Sequence, residues 1–143
     1  MDDRFTPRPV AAWFMIGAVA SLLFMGLGCI MYLRQVFADP NTMPLDQAAA
    51  IAAEPAWVLG ANALAVWVGL IGAVLLVMKR KAAELALLLS VIAVLAWLGG
   101  LVAVAPLREA MSANDLIVAI VVAALTWTIY WFARHSRQRG WLR

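Results

Sequence analysis

Four uninterrupted apolar runs of 18 to 24 residues constrain this chain more than any other feature. They cover about Val10 to Leu33, Ala56 to Met78, Leu85 to Ala105 and Leu116 to Ala133. Crossing about 30 Å of hydrocarbon takes roughly 20 apolar residues in helical form. Membrane barrel strands alternate apolar and polar residues, and these runs do not. The predicted fold is therefore all-α: a polytopic membrane protein built as a four-transmembrane-helix bundle, with residues 1–143 forming one domain. Composition agrees, with 66% of the 143 residues hydrophobic and 13% charged. Soluble domains run at roughly 45–50% apolar and about 25% charged. A soluble enzyme domain, a disordered regulator and a secreted disulfide scaffold are thereby excluded. Cys29 is the only cysteine and His135 the only histidine, so neither an internal disulfide nor a Cys/His metal cluster can form, and no cofactor is expected.

The formal charge of +3 reads as topology. Arg4, Arg8, Lys79, Arg80, Lys81, Arg134, Arg137, Arg139 and Arg143 fall in the N-terminal flank, the second loop and the tail; Arg34 and Arg108 fall in the other two loops. Nine basic residues on one side against two on the other place both termini in the cytoplasm of a bacterial inner membrane, with no nucleic-acid partner needed. The first run reads as an uncleaved anchor. It is longer than a signal-peptide core, and Gly26 stands three before Cys29, where lipoprotein processing needs a larger aliphatic residue.

The loops are too short to fold alone. Pro44 suits a helix's first turn, and Leu45 to Glu54 has high helix propensity before Pro55 breaks it, which predicts a short interfacial helix over about 44–54. Ser112 or Asn114 can cap the fourth span after a tight connection. Trp13, Tyr130 and Trp131 suit the inner aromatic belt, and Tyr32 and Trp57 the outer one. Arg134, Arg137, Arg139 and Arg143, with Trp141 among them, are expected on anionic lipid of the inner leaflet.

Inside the spans, Ala61, Ala65, Gly69 and Ala73 recur every fourth residue. Such a small-residue stripe lets helix backbones approach closely, within one chain or between two. Gly99-Gly100 allows a bend or packing against a bulky neighbour. None of the spans holds an Asp, Glu, Lys, Arg or His away from its ends. Proton relays and ion-coupled carriers depend on such groups, so a proton-coupled antiporter and acid–base catalysis are both disfavoured, and the chain is not expected to be an enzyme. Asn62, Trp67 and Trp97 form the candidate polar site. Asn62 can make an interhelical hydrogen bond or touch a ligand, while the buried indoles can fill the core, face lipid or line a pocket. Ser21, Ser90, Thr126 and Thr128 can bond their own preceding carbonyls.

The segments Gly26-Leu27-Gly28-Cys29-Ile30-Met31-Tyr32, Glu54-Pro55-Ala56-Trp57-Val58, Ala65-Val66-Trp67-Val68-Gly69-Leu70-Ile71-Gly72 and Lys79-Arg80-Lys81-Ala82 resemble a family of small four-span inner-membrane proteins. The family is abundant in proteobacteria and often labelled "sugar transporter". The resemblance departs at Met25 and Met31, where the family pattern carries an Asn and an Asp. It implies the fold and the location. The stripe, short loops and uncharged spans favour a non-catalytic accessory or interaction subunit, packed in lipid as a homo-oligomer or in a larger membrane complex. The alternative is a small-solute or lipid transporter working as an oligomer.

Overall fold

The computed structural model describes residues 12–143, and the start of the first predicted span at residues 10 and 11 lies outside them. The described residues are helical throughout, with no strand: α1 Ala12–Phe37, a 3-10 turn Pro40–Thr42, α2 Leu45–Ala53, α3 Ala56–Val77, α4 Ala82–Ala103, α5 Ala105–Ala110 and α6 Ala113–Gln138. Four of them, α1, α3, α4 and α6, are long and apolar enough to cross a membrane. All four predicted spans are present, with their ends moved. Both α1 and α6 continue through flanking charges, as far as Phe37 and Gln138. Pro106 falls in the first turn of α5, where its missing N–H costs nothing, so the expected tight connection holds a short extra helix. The short helix expected over about 44–54 is present as α2, and α5 packs against it.

Helix α3 is central. It packs antiparallel on α4 and also on α1, α4 packs on α6, and α6 returns to α1 only lightly. The small-residue stripe makes the α3 contacts possible. Ala65, Gly69, Gly72 and Ala73 are buried and Ala61 is half-buried. A Cβ at Gly69 would meet Met25 Sδ and Ser90 Oγ, each at 2.8 Å, and one at Gly72 would meet Leu87 Cγ at 2.8 Å. The stripe therefore serves contacts within the chain, to α1 on one side and α4 on the other. Gly100 likewise packs on Val58 and Trp57, whereas Gly99 meets nothing. Two polar bonds secure this layer: Ser90 Oγ donates to the Ala65 carbonyl at 2.7 Å, and Cys29 Sγ to the Val66 carbonyl at 3.3 Å.

One end of the bundle, the tail end, holds the α3–α4 turn and the C-terminus. Helix α3 finishes with Lys79 at φ 58°, and Arg80 N–H reaches back to the Leu75 carbonyl at 2.9 Å. That left-handed position normally belongs to glycine. Lys79→Gly should therefore raise stability by about 0.5–1 kcal/mol, measured by SDS-driven unfolding in mixed micelles. At the end of α6, Gly140 takes φ 74° and Trp141 N–H bonds the Ser136 carbonyl at 3.0 Å. The chain then turns back on the bundle, and Lys81 N–H donates to the Arg143 carbonyl at 2.8 Å.

Trp141 is consequently buried, at 7% exposure, and so is Leu142. This corrects the expectation that Trp141 anchors the tail in a leaflet. Its indole fits a cluster with Trp13 (ring centroids 5.0 Å apart), Phe14 (5.7 Å) and His135 (6.5 Å), and Phe14 stacks on Phe132 at 5.7 Å. Edge-to-face ring pairs of this kind add to the gain from the aromatic area they bury. Gly17 lets the Phe132 ring lie against α1. Here α1 and α6 touch.

Candidate functional site

Because α1 meets α6 at the tail end, the two helices can part toward the other end, and a cavity of about 1140 Å³ opens there. Its wall is drawn from the last turns of α1, from α2, from the C-terminal part of α4, from α5 and from the start of α6. A smaller packed cluster of Val58, Leu101, Leu107 and Ala119 ties α3, α4, α5 and α6 together beside it. That cluster holds the α4–α6 side of the mouth in place while α1 stands away from α6.

The wall divides by chemistry. Arg34, Gln35, Asp46, Glu54, Glu109 and Asp115 supply a charged and polar rim, and Met31, Trp97, Leu101, Val118 and Ala119 an apolar floor. Two rim carboxylates are held by local structure. Ser112 caps α6, with its hydroxyl accepting from Asp115 N–H at 3.3 Å. The Asp115 carboxylate in turn accepts from Ser112 N–H at 3.0 Å and Ser112 Oγ at 2.8 Å. This reciprocal box satisfies orphan donors at the helix start. Glu54 follows the last turn of α2 and accepts a 3.1 Å bond from Gln35 Nε2. Burial pushes the Glu54 carboxyl above the ordinary carboxylate range, and the Gln35 bond offsets part of that rise.

The three residues of the candidate polar site separate. Trp97 lies in the cavity floor, and neither Asn62 nor Trp67 is in its wall. The α3–α4 register, with Gly72 opposite Leu87, Gly69 opposite Ser90 and Gly100 opposite Val58, sets Asn62 level with Trp97. Trp67 is five residues on from Asn62, about 140° around the helix, and its ring is 41% exposed. Trp127 is also exposed, beside a shallow apolar groove of about 280 Å³ between α4 and α6. Ser21, Thr126 and Thr128 bond the carbonyls four residues before them, at 2.7, 2.8 and 2.9 Å, as the sequence leads one to expect. Ser90 instead bridges two helices.

At the tail end Arg134, Arg137, Arg139 and Arg143 are exposed. Arg137 pairs with Glu84 at 2.6 Å, and the Arg139 guanidinium lies 5.9 Å from the Trp141 ring. Among the described residues no group of three or more His, Cys, Asp or Glu side chains could hold a metal ion. The rim residues were missed at sequence level because they come from four separate segments. The one available signal was the crowding of carboxylates into the two loops poor in Lys and Arg.

No protein-family model, no curated protein and no solved structure matches the chain.

Proposed function

We propose that this integral, multi-pass membrane protein binds a small amphiphilic solute in the cavity between α1 and α6, as a binding or transport component and not as an enzyme. The observation that carries the proposal is one cavity whose wall joins charged and polar residues at the helix ends and loops with apolar residues about a turn further into α1, α4 and α6. An amphiphile matches that order, head at the rim and chain toward the gap between the two helices. The small-residue stripe that favours an accessory subunit is engaged inside the chain, where Gly69 meets Met25 and Ser90. Four helices line only part of a path across a bilayer, so the proposal includes a homo-oligomer in contact with membrane lipids. The distribution of Lys and Arg orients the mouth outward and both termini toward the cytoplasm of a bacterial inner membrane.

A cysteine in the floor tests both parts, since the native thiol at Cys29 is buried. Val118→Cys should react with a polar, uncharged, membrane-impermeant maleimide in right-side-out vesicles. Dodecyl maltoside below its micellar concentration should slow that reaction several-fold, whereas maltose should not. A rate indifferent to the amphiphile overturns binding. Labelling confined to inverted vesicles overturns the orientation.

A further inference from the structure

We infer that the occupant is a lipid of the surrounding bilayer, and that it enters sideways, through a slot between α1 and α6, instead of from water. This rests on the proposal that the cavity binds an amphiphile, and adds the class of amphiphile and its route. The slot is read from two helix faces. At about 100° per residue, Phe132, Leu125, Val121 and Val118 share one face of α6, and Gly17, Phe24 and Met31 share one face of α1. At the tail end these faces touch, with the Phe132 ring against Gly17. Away from that contact the α6 face becomes steadily more exposed, from 44% at Leu125 through 49% at Val121 to 61% at Val118. Met31, at the far end of the α1 face, is also 61% exposed. Any membrane protein exposes apolar side chains to lipid, but these lie on faces turned toward each other. Their exposure therefore marks a gap that widens along the two helices. It ends in the cavity, whose wall contains both Met31 and Val118.

The depth of the slot decides which solvent fills it. Arg34 and Asp115 are the charged residues that bound the apolar runs of α1 and α6 at this end, and both are in the cavity wall. Met31 and Val118 stand about a turn further in, inside those runs. Charged side chains mark the edge of the hydrocarbon, so the slot beneath them opens to lipid chains. The water side is partly covered. Helix α2 joins α1 to α3, α5 joins α4 to α6, and the two pack on each other, so they cross the end of the bundle between its two edges. The Gln35 to Glu54 bond ties α2 to α1 there. An acyl chain that passes through water on its way in is disfavoured about fourfold for each methylene. One that slides along the slot exchanges one apolar surface for another. Its head stays at the polar rim, level with the neighbouring head groups.

The test asks whether lipid reaches the back of the cavity. Trp97 lines it from α4, while Ala96, the residue before, is exposed on the same helix. Trp97→Cys and Ala96→Cys, each in a Cys29→Ala background, are labelled with bimane in the full-length protein. The proteins are placed in phosphatidylcholine vesicles with and without a nitroxide on the acyl chains. Nitroxide lipid should quench the label at position 97 nearly as strongly as the label at position 96. Val121→Phe, which adds bulk at an exposed point of the slot, should weaken quenching at position 97 several-fold and leave position 96 unchanged. Quenching at position 97 by aqueous iodide but not by the lipid overturns the inference, and entry is then from water. Quenching by neither means that the slot is sealed, as by a second copy of the chain, and overturns it as well. Quenching by lipid that ignores Val121→Phe places the route elsewhere and overturns the slot. These outcomes read the route alone, whereas protection of Val118→Cys by dodecyl maltoside reads affinity for an amphiphile, so the two proposals can fail separately.

Discussion

Gly72→Val is expected to cost the fold about 3 kcal/mol, the upper end of what overpacking does to a helix contact. The reason lies in what a side chain would meet. A single Cβ at this position already comes within 2.8 Å of Leu87 Cγ, 3.0 Å of Leu87 Cδ2 and 3.2 Å of the Leu87 backbone nitrogen. A leucine tip can swing away, but a backbone nitrogen in the first half of α4 cannot. Valine adds two further methyls, so α3 and α4 must part along their length. In lipid no hydrophobic gain pulls them together again, because hydrocarbon tails cover apolar surface as well as a neighbouring helix does. The Ser90 to Ala65 hydrogen bond, further along the same contact, would be lost with it. Gly60→Ala is the matched control, since nothing lies within 4 Å of its added Cβ. That change removes a flexible residue from a helix interior and should be neutral or stabilising by up to about 1 kcal/mol. SDS titration in mixed micelles measures both, and a Gly72→Val protein as resistant as the parent would show that α3 and α4 are not in contact there.

That contact also shows what could be read from the chain alone. Stripe spacing at Ala61, Ala65, Gly69 and Ala73 announces close helix approach but not the partner, and the partner proves to be two helices at once. Spans were legible because length and hydropathy are properties of one segment. Ser112 was legible as a cap because the capping box is local. The cavity was not. Its existence depends on the angle between α1 and α6, and helices apolar all the way round carry no periodic stripe to say which face turns inward. Asn62 drew attention as the lone amide in a span. Yet the residues assembled at the mouth are loop-end carboxylates whose only sequence signature is their crowding into segments with few lysines and arginines. Trp141 was misplaced for a related reason. Surrounded in sequence by Arg137, Arg139 and Arg143, it looks interfacial, and only the left-handed turn at Gly140 reverses the chain and sends its ring inward.

Trp141→Ala should show how much depends on that reversal. The ring is 7% exposed and touches Trp13, Phe14 and His135, and emptying such a site costs about 3 kcal/mol. The loss should be local before it is global. The hairpin of α3 and α4 keeps its own contacts, but Lys79 and Lys81 lose the strand-like pairing in which Arg143 N–H donates to the Lys79 carbonyl and Lys81 N–H donates to the Arg143 carbonyl. The backbone of the exposed basic turn at Lys79, Arg80 and Lys81, a run that trypsin recognises, is then no longer held by the tail and can enter a protease cleft. If cleavage samples the opened state at equilibrium, about 3 kcal/mol corresponds to an increase of about a hundredfold in its rate. Trp131→Ala is the comparison, since that residue is 58% exposed on α6, the helix that precedes the tail, and should leave the rate within about twofold. The same cluster is where α1 is held against α6, through Phe14 and Phe132. Loosening it should therefore widen the gap between these helices along its whole length, and Val118→Cys in the cavity wall should react faster in the Trp141→Ala background. Trypsin sensitivity that rises while the cavity thiol is unaffected would mean that the tail clamps only the turn, and that something other than the aromatic cluster sets the opening between α1 and α6.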